Sequence, residues 1–187
     1  MPNWRCNRIV VPNIAIFIRY KTTLPLVLSV YPEMGQRLLE GVVSLARRFG
    51  EFPVGYTMDN DVHRFDGQAN GLAHHTLADG FYRNFSIDWA EALTHMAATF
   101  DGAEAQEFAK TGTTEPAHMT HTLDLAGAAY ATAQVALSLG NDTLAKRLLA
   151  LSDYSLNAYD KATCLLRNHT GTVYCKGCAV PLEPASL

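Results

Sequence analysis

From residue 33 onward, apolar residues recur three and four positions apart, the spacing of a helix with one buried face. Met34, Leu38, Leu39, Val42, Val43 and Leu45 form such a face, with Arg37, Glu40, Arg47 and Arg48 mostly opposite. Gly50 is placed to end that helix. Residues 51–67 then lose the helical period. They hold Pro53, Gly55, Gly67 and the carboxylates of Glu51, Asp59, Asp61 and Asp66, and read as a long polar loop. Loops of that length usually carry function. A second helix is predicted over Gln68 to Arg83 and a third over Ser86 to Phe100, with Ser86 as its N-cap. Residues 101–117 are polar and broken by Gly102, Gly112 and Pro116. An alanine-rich helix follows from Thr120 to Leu139, closed by Gly140-Asn141, and Asp142 caps a fourth amphipathic run to about Asn157. Alternating helices and loops predict a mainly α fold of antiparallel helical hairpins, and alanine-lined faces predict close helix contacts. Convincing β alternation is confined to Ile9–Ile18 and the tail. No short fixed repeat appears, so a regular solenoid is not expected.

Composition narrows the class. The chain has 187 residues, 48% hydrophobic and 18% charged, enough to build a core and to exclude wholesale disorder. Fifteen basic against eighteen acidic residues leave a formal charge of −3. No broad basic surface follows, and nucleic acid is not an expected partner. The longest apolar runs, Ile9–Ile18 and Leu24–Tyr31, fall short of the roughly 18–20 residues that span a bilayer. The first makes a poor signal peptide. The chain reads as soluble, with its compartment left open.

Asp59-Asn60-Asp61 is the leading chemical candidate. Glycoside hydrolysis uses two carboxyl groups, one to protonate the departing oxygen and one to activate water or attack carbon. Aspartates at i and i+2 also suit calcium, and Asp and Asn favour turns in any case. In the second helix, His74 and His75 point about 100° apart, so only one can face the core. His75 and Asp79, at i and i+4, can meet on one face; a structural hydrogen bond is the commoner meaning. His118-x-x-His121 is a conceivable metal pair without a third ligand. Tyr56, Phe65, Phe81, Tyr82 and Trp89 can line a sugar platform, although Phe81, Phe85 and Trp89 at helical spacing are more often core. Cys175-Lys-Gly-Cys178 has the spacing of a zinc knuckle, with His169 and Cys164 upstream, but reads first as thiols in a loose tail. Asn84, Asn141 and Asn168 open Asn-x-Ser/Thr triplets that matter only in a secreted chain.

Three stretches, in order, resemble the catalytic domain of glycoside hydrolase family 92, the calcium-dependent exo-acting α-mannosidases. Tyr20-Lys-Thr-Thr-Leu-Pro-Leu26, followed by Tyr31-Pro-Glu33, is similar to the family's Trp-Asp-Thr-Tyr-Arg-Thr-x-x-Pro-Leu segment and its downstream Pro-Glu. Phe52-Pro-Val54, an acidic loop, and Leu77-Ala78-Asp79 resemble the Leu-Pro-Val stretch leading to the Ala-Asp-Ala helix. Thr122-Leu123-Asp124, Ala133-Gln134-Val-Ala136 and Leu139-Gly140-Asn141 resemble the Thr-Leu-Glu…Ala-Gln-x-Ala-x-x-Leu-Gly helix.

The resemblance implies an (α/α)6 toroid, of which this chain would form part, and hydrolysis of terminal α-mannosides with inversion. It places the general acid in the loop after Phe52-Pro-Val54. No glutamate stands there between Glu51 and Glu91, so Asp61, then Asp59, take the position, with His74, His75 and Tyr56 as substrate-binding candidates. The terminal-sugar Trp-Asp pair corresponds to Phe17-Ile18, and a usual Asp pair falls on Ala128-Ala129. The general base, most calcium ligands and an N-terminal β-sandwich lie outside what this chain matches. The expected organisation is a divergent segment over 1–19, a partial family-92-like helical domain over 20–165 and a divergent tail over 166–187, as in a truncated and inactive copy. Calcium is the implied cofactor, no metal ligand is assigned in this chain, and a mannose-containing glycan is the implied partner. Intact relatives are often secreted. The alternatives are a non-catalytic helical module that binds carbohydrate or protein, or a zinc-binding helical protein. Half a toroid would leave a helix face unburied and open to self-association.

Overall fold

A computed structural model describes residues 24–50, 52, 55–56, 62–63, 72–114 and 120–159. The fold is mainly helical, as expected, and its hairpins are antiparallel. Helix α1, Leu24–Val30, buries Leu24 and Leu28. Pro32 ends it, since proline brings no N–H and fixes its own φ, and the same residue opens α2, Pro32–Phe49. Leu39, Val42, Val43 and Ala46 of α2 enter the core. Met34, counted with that face from the sequence, is exposed because the buried stripe runs through Gly35, Leu39, Val42 and Ala46, one position round the helix from it. Gly50 stops the helix in the left-handed region, φ 78°, and donates its N–H to the Ala46 carbonyl at 2.8 Å.

Within the stretch read as a loop, Gly55–Tyr56 (β1) pairs antiparallel with Val62–His63 (β2), in the register Gly55↔His63 and Tyr56↔Val62. Helix α3 is described over Leu72–Tyr82, with Asn84 at φ 59° turning the chain behind it. Helix α4, Trp89–Ala98, begins two residues later than an N-cap at Ser86 would place it. Its N-cap is Asp88, whose Oδ1 accepts from the Glu91 N–H at 3.0 Å. Ser86, the expected cap, is held elsewhere: the Gln36 amide donates to its carbonyl at 2.6 Å and accepts its N–H at 2.9 Å.

Residues 101–117, read as broken coil, contain α5, Ala103–Thr111. Its period does not show in the sequence because it is short, lies between two glycines and buries only Ala105 and Phe108. Helix α6, Thr120–Ser138, is central, with Leu125, Ala126, Ala128, Ala129, Ala133, Val135 and Ala136 at most 1% exposed. Alanines on so much of its circumference let neighbouring backbones approach. After the Gly140 turn, α7 runs over Asp142–Ser152. Asn141, not Asp142, caps it, accepting the Leu144 N–H at 3.2 Å. A 3₁₀ turn, Asp153–Ala158, continues the expected run in a tighter form.

Side-chain contacts give the helix directions. Phe81 meets Trp89 edge-on at 5.2 Å, while His74 bonds the Met96 carbonyl, so α3 and α4 are antiparallel. His75 lies against Gly127, and Tyr82 donates to the Gln134 carbonyl at 3.3 Å, so α3 and α6 run parallel. Successive hairpins therefore place their first helices side by side and in the same direction.

Candidate functional site

The polar stretch after α2 is tied to the body at its start. Phe52 is 1% exposed. Its ring meets His74 edge-on at 5.5 Å and His95 at 6.3 Å. Residues 57–61 connect β1 to β2 and so carry Asp59 and Asp61 between paired strands. Both general-acid candidates themselves lie outside the described residues. Tyr56 falls on β1 and pairs with Val62 through the backbone.

The two adjacent histidines separate as helix geometry requires. His74 is fully buried, with Nε2 at 3.0 Å from the Met96 carbonyl and its ring 5.8 Å from Phe100. Its position is a packing one, between the rings of Phe52 and Phe100. His75 is exposed, and its ring lies over Gly127, where a Cβ would stand 2.7 Å from Nε2. Asp79, a possible partner of His75 at i and i+4, accepts at Oδ1 the Nε–H of Arg83 at 2.9 Å. Phe81, Phe85 and Trp89 pack against the core and do not form a platform.

A charged group closes the side of α4 facing α2. Arg47 donates through Nε and Nη2 to both Glu91 oxygens at 2.6 and 2.5 Å, and His95 Nε2 is 3.9 Å from Glu91. The hydrogen bond from Arg47 holds the Glu91 carboxyl below the ordinary glutamate range, against a smaller opposing effect of burial. Sequence reasoning missed this group, because its members come from two helices separated by the polar stretch.

His121, half of the conceivable metal pair, has Nδ1 at 3.3 Å from Glu104 Oε1; His118 lies outside the described residues. Thr122 holds the end of α5's following segment, its Oγ1 accepting the Thr114 N–H at 3.1 Å. Ala128 and Ala129, where the resemblance expects an acidic pair, are fully buried. Among the described residues no group of three or more His, Cys, Asp and Glu side chains converges on a metal position. Cys164, His169, Cys175, Cys178 and Asn168 lie outside the described residues, as do Phe65 and Asp66. No helix among the described residues is long and apolar enough to cross a membrane.

Comparison with known proteins bears on this arrangement directly. The glycosyl hydrolase family 92 catalytic domain matches residues 12–176. An inverting mannosidase of family 92 from Bacteroides thetaiotaomicron has a similar fold, with a TM-score of 0.72 at 17% identity. The match covers 87% of this chain but 24% of that one, so the chain spans about a quarter of the length of that relative. Comparison with curated proteins gives no match. Because the family match runs over residues 12–176, most of the chain, the chain belongs to the family of glycosyl hydrolase family 92 catalytic domains.

Proposed function

We propose that this chain supplies the general-acid part of an inverting α-mannosidase site and is incomplete as a catalyst by itself. The observation that carries the reading is the family match over residues 12–176, which includes the β1–β2 hairpin. In an inverting site the acid protonates the departing glycosidic oxygen while a base about 6.5–9.5 Å away activates water on the opposite face. Asp61, with Asp59 second, is the proposed acid. Tyr56 on β1 and the exposed His75 are the proposed contacts to a terminal mannoside. An aspartate is one methylene shorter than the glutamate usual in this position, so the hairpin must bring its backbone closer to the scissile bond.

The general base and most calcium ligands are proposed to belong to the part of the family domain that this chain does not match. The buried Ala128 and Ala129 support a reduced acidic complement, since neither position can offer a carboxylate. The 187-residue polypeptide, assayed with calcium on a terminal α-1,2-mannoside, is therefore expected to release no mannose above the background of Asp61→Asn. Turnover that Asp61→Asn abolishes would show the site to be complete and overturn the inactive reading. Turnover unaffected by Asp61→Asn and Asp59→Asn would remove both aspartates from the acid role.

A further inference from the structure

The first half of α6 contains Ala126-Gly127-Ala128-Ala129, one glycine among alanines. Glycine inside a helix is destabilising relative to alanine, so the position asks for a reason. Core packing does not supply one. Ala126, Ala128 and Ala129 are buried, whereas Gly127 is half-buried and lies with Tyr130 and Gln134 on the accessible stripe of α6. A Cβ at 127 would stand 2.7 Å from Nε2 and 2.8 Å from Cε1 of His75, and among the described residues it would meet no other neighbour from a different helix within 4 Å.

The register of α3 against α6 fixes this meeting. Tyr82, at the end of α3, donates to the Gln134 carbonyl and lies 3.3 Å from Ser138 Oγ. The same 52 residues separate Tyr82 from Gln134 and His75 from Gly127. Parallel helices rise equally per residue, so position 75 faces position 127 about two turns before the Tyr82 bond. The geometry points to Gly127 as the positioning residue that lets the His75 imidazole lie across α6, on the accessible side of the α3–α6 seam. A methyl group at 127 would take the place of the ring's outer edge. The ring gives way by changing rotamer, because the backbone on either side of Gly127 is packed. An imidazole already held in one orientation meets a ligand with less ordering left to lose. That consequence rests on the proposed contact of His75 with a terminal mannoside; the placement of the ring does not.

The test is solution NMR of the whole chain, with methyl α-mannoside as the probe. In the parent, the His75 Hε1 proton is expected to show a through-space contact with the Gly127 Hα protons. Gly127→Ala is expected to keep the α6 amide pattern from Leu125 to Ala136, to shift the His75 ring resonances and to abolish the ring's contact with position 127. Gly41→Ala, where a Cβ meets nothing within 4 Å, is expected to leave the His75 ring signals in place. The mannoside affinity read at His75 should fall roughly two- to tenfold in Gly127→Ala. Absence of the contact in the parent, or an undisturbed His75 ring in Gly127→Ala, overturns the positioning role. So does loss of the fold in Gly127→Ala, since the glycine would then serve the packing of α6 as a whole. A displaced ring in a chain whose His75 never responds to mannoside would sink the substrate contact and leave the placement standing. A mannoside response at His75 that Gly127→Ala leaves unchanged would do the reverse.

Discussion

Leu39 of α2 presses its Cδ1 into the notch that Gly80 leaves on α3: a Cβ at position 80 would lie 2.5 Å from it. Leu39 is 1% exposed, so its side chain can give way only by displacing other core atoms. Gly80→Ala should therefore destabilise the protein by about 1–2 kcal/mol, overpacking outweighing the gain in helix propensity. Gly41, on the same helix as Leu39, has no neighbour within 4 Å of a Cβ. Gly41→Ala should stabilise by about 0.5–1 kcal/mol. Urea unfolding of the two variants checks the contrast; equal stabilities would mean that α2 and α3 do not interlock here.

The start of α4 gives a second contrast. Asp88→Ala removes the side chain that accepts the Glu91 N–H and should cost about 1 kcal/mol. Ser86→Ala should stay within about 0.5 kcal/mol of the parent, because the bonds to Gln36 use the Ser86 backbone. Thermal melts of the single variants decide it. A larger loss from Ser86→Ala would restore that serine as the cap.

Acid should act partly through Glu91. Its carboxyl is held below the ordinary range, chiefly by the hydrogen bond from Arg47. Its stabilising contribution is therefore complete above the ordinary glutamate pKa of about 4.3 and lost as pH falls through the lowered folded value. Glu91→Gln should therefore lower stability near neutrality, by a small amount since exposed pairs are screened, and match the parent near pH 2, so that its curve falls less between about pH 5 and 2. Denaturation midpoints from pH 2 to 7 would show this, and an unchanged acid limb would contradict it.

Leu26, Val30, Tyr31 and Met34 are each more than half exposed at the junction of α1 and α2. The isolated chain is expected to self-associate through this apolar patch, in line with an unburied helix face. Light scattering coupled to size exclusion should detect species above the monomer mass. Leu26→Glu with Met34→Glu should reduce them. A monomer at all concentrations would count against the patch as an associating surface.

Much of the helical plan was legible because its causes are local. The α2 stripe, the left-handed stop at Gly50 and the alanine-rich α6 each follow from residues within a few turns of one another. Other features depend on distant partners. Ser86 has the chemistry of a cap, but Gln36, fifty residues earlier, takes its backbone. Helix α5 leaves no periodic signal because two buried residues do not make a period, and β1 and β2 are too short to alternate. Adjacent histidines at 100° had to divide between core and surface. That His74 went inside was decided by the Met96 carbonyl and the ring of Phe100.

The same division holds for the candidate site. Residue order alone marked the acidic stretch, named Asp61 and Asp59, and carried the family resemblance, because motifs and carboxylate chemistry are written in the chain. Tertiary structure alone decided that Gly55–Tyr56 pairs with Val62–His63, that Phe52 is seated between His74 and His95, and that α3 and α6 lie parallel with His75 over Gly127. Those relationships depend on which surfaces meet when helices pack, and close packing is settled by shape between segments far apart in sequence.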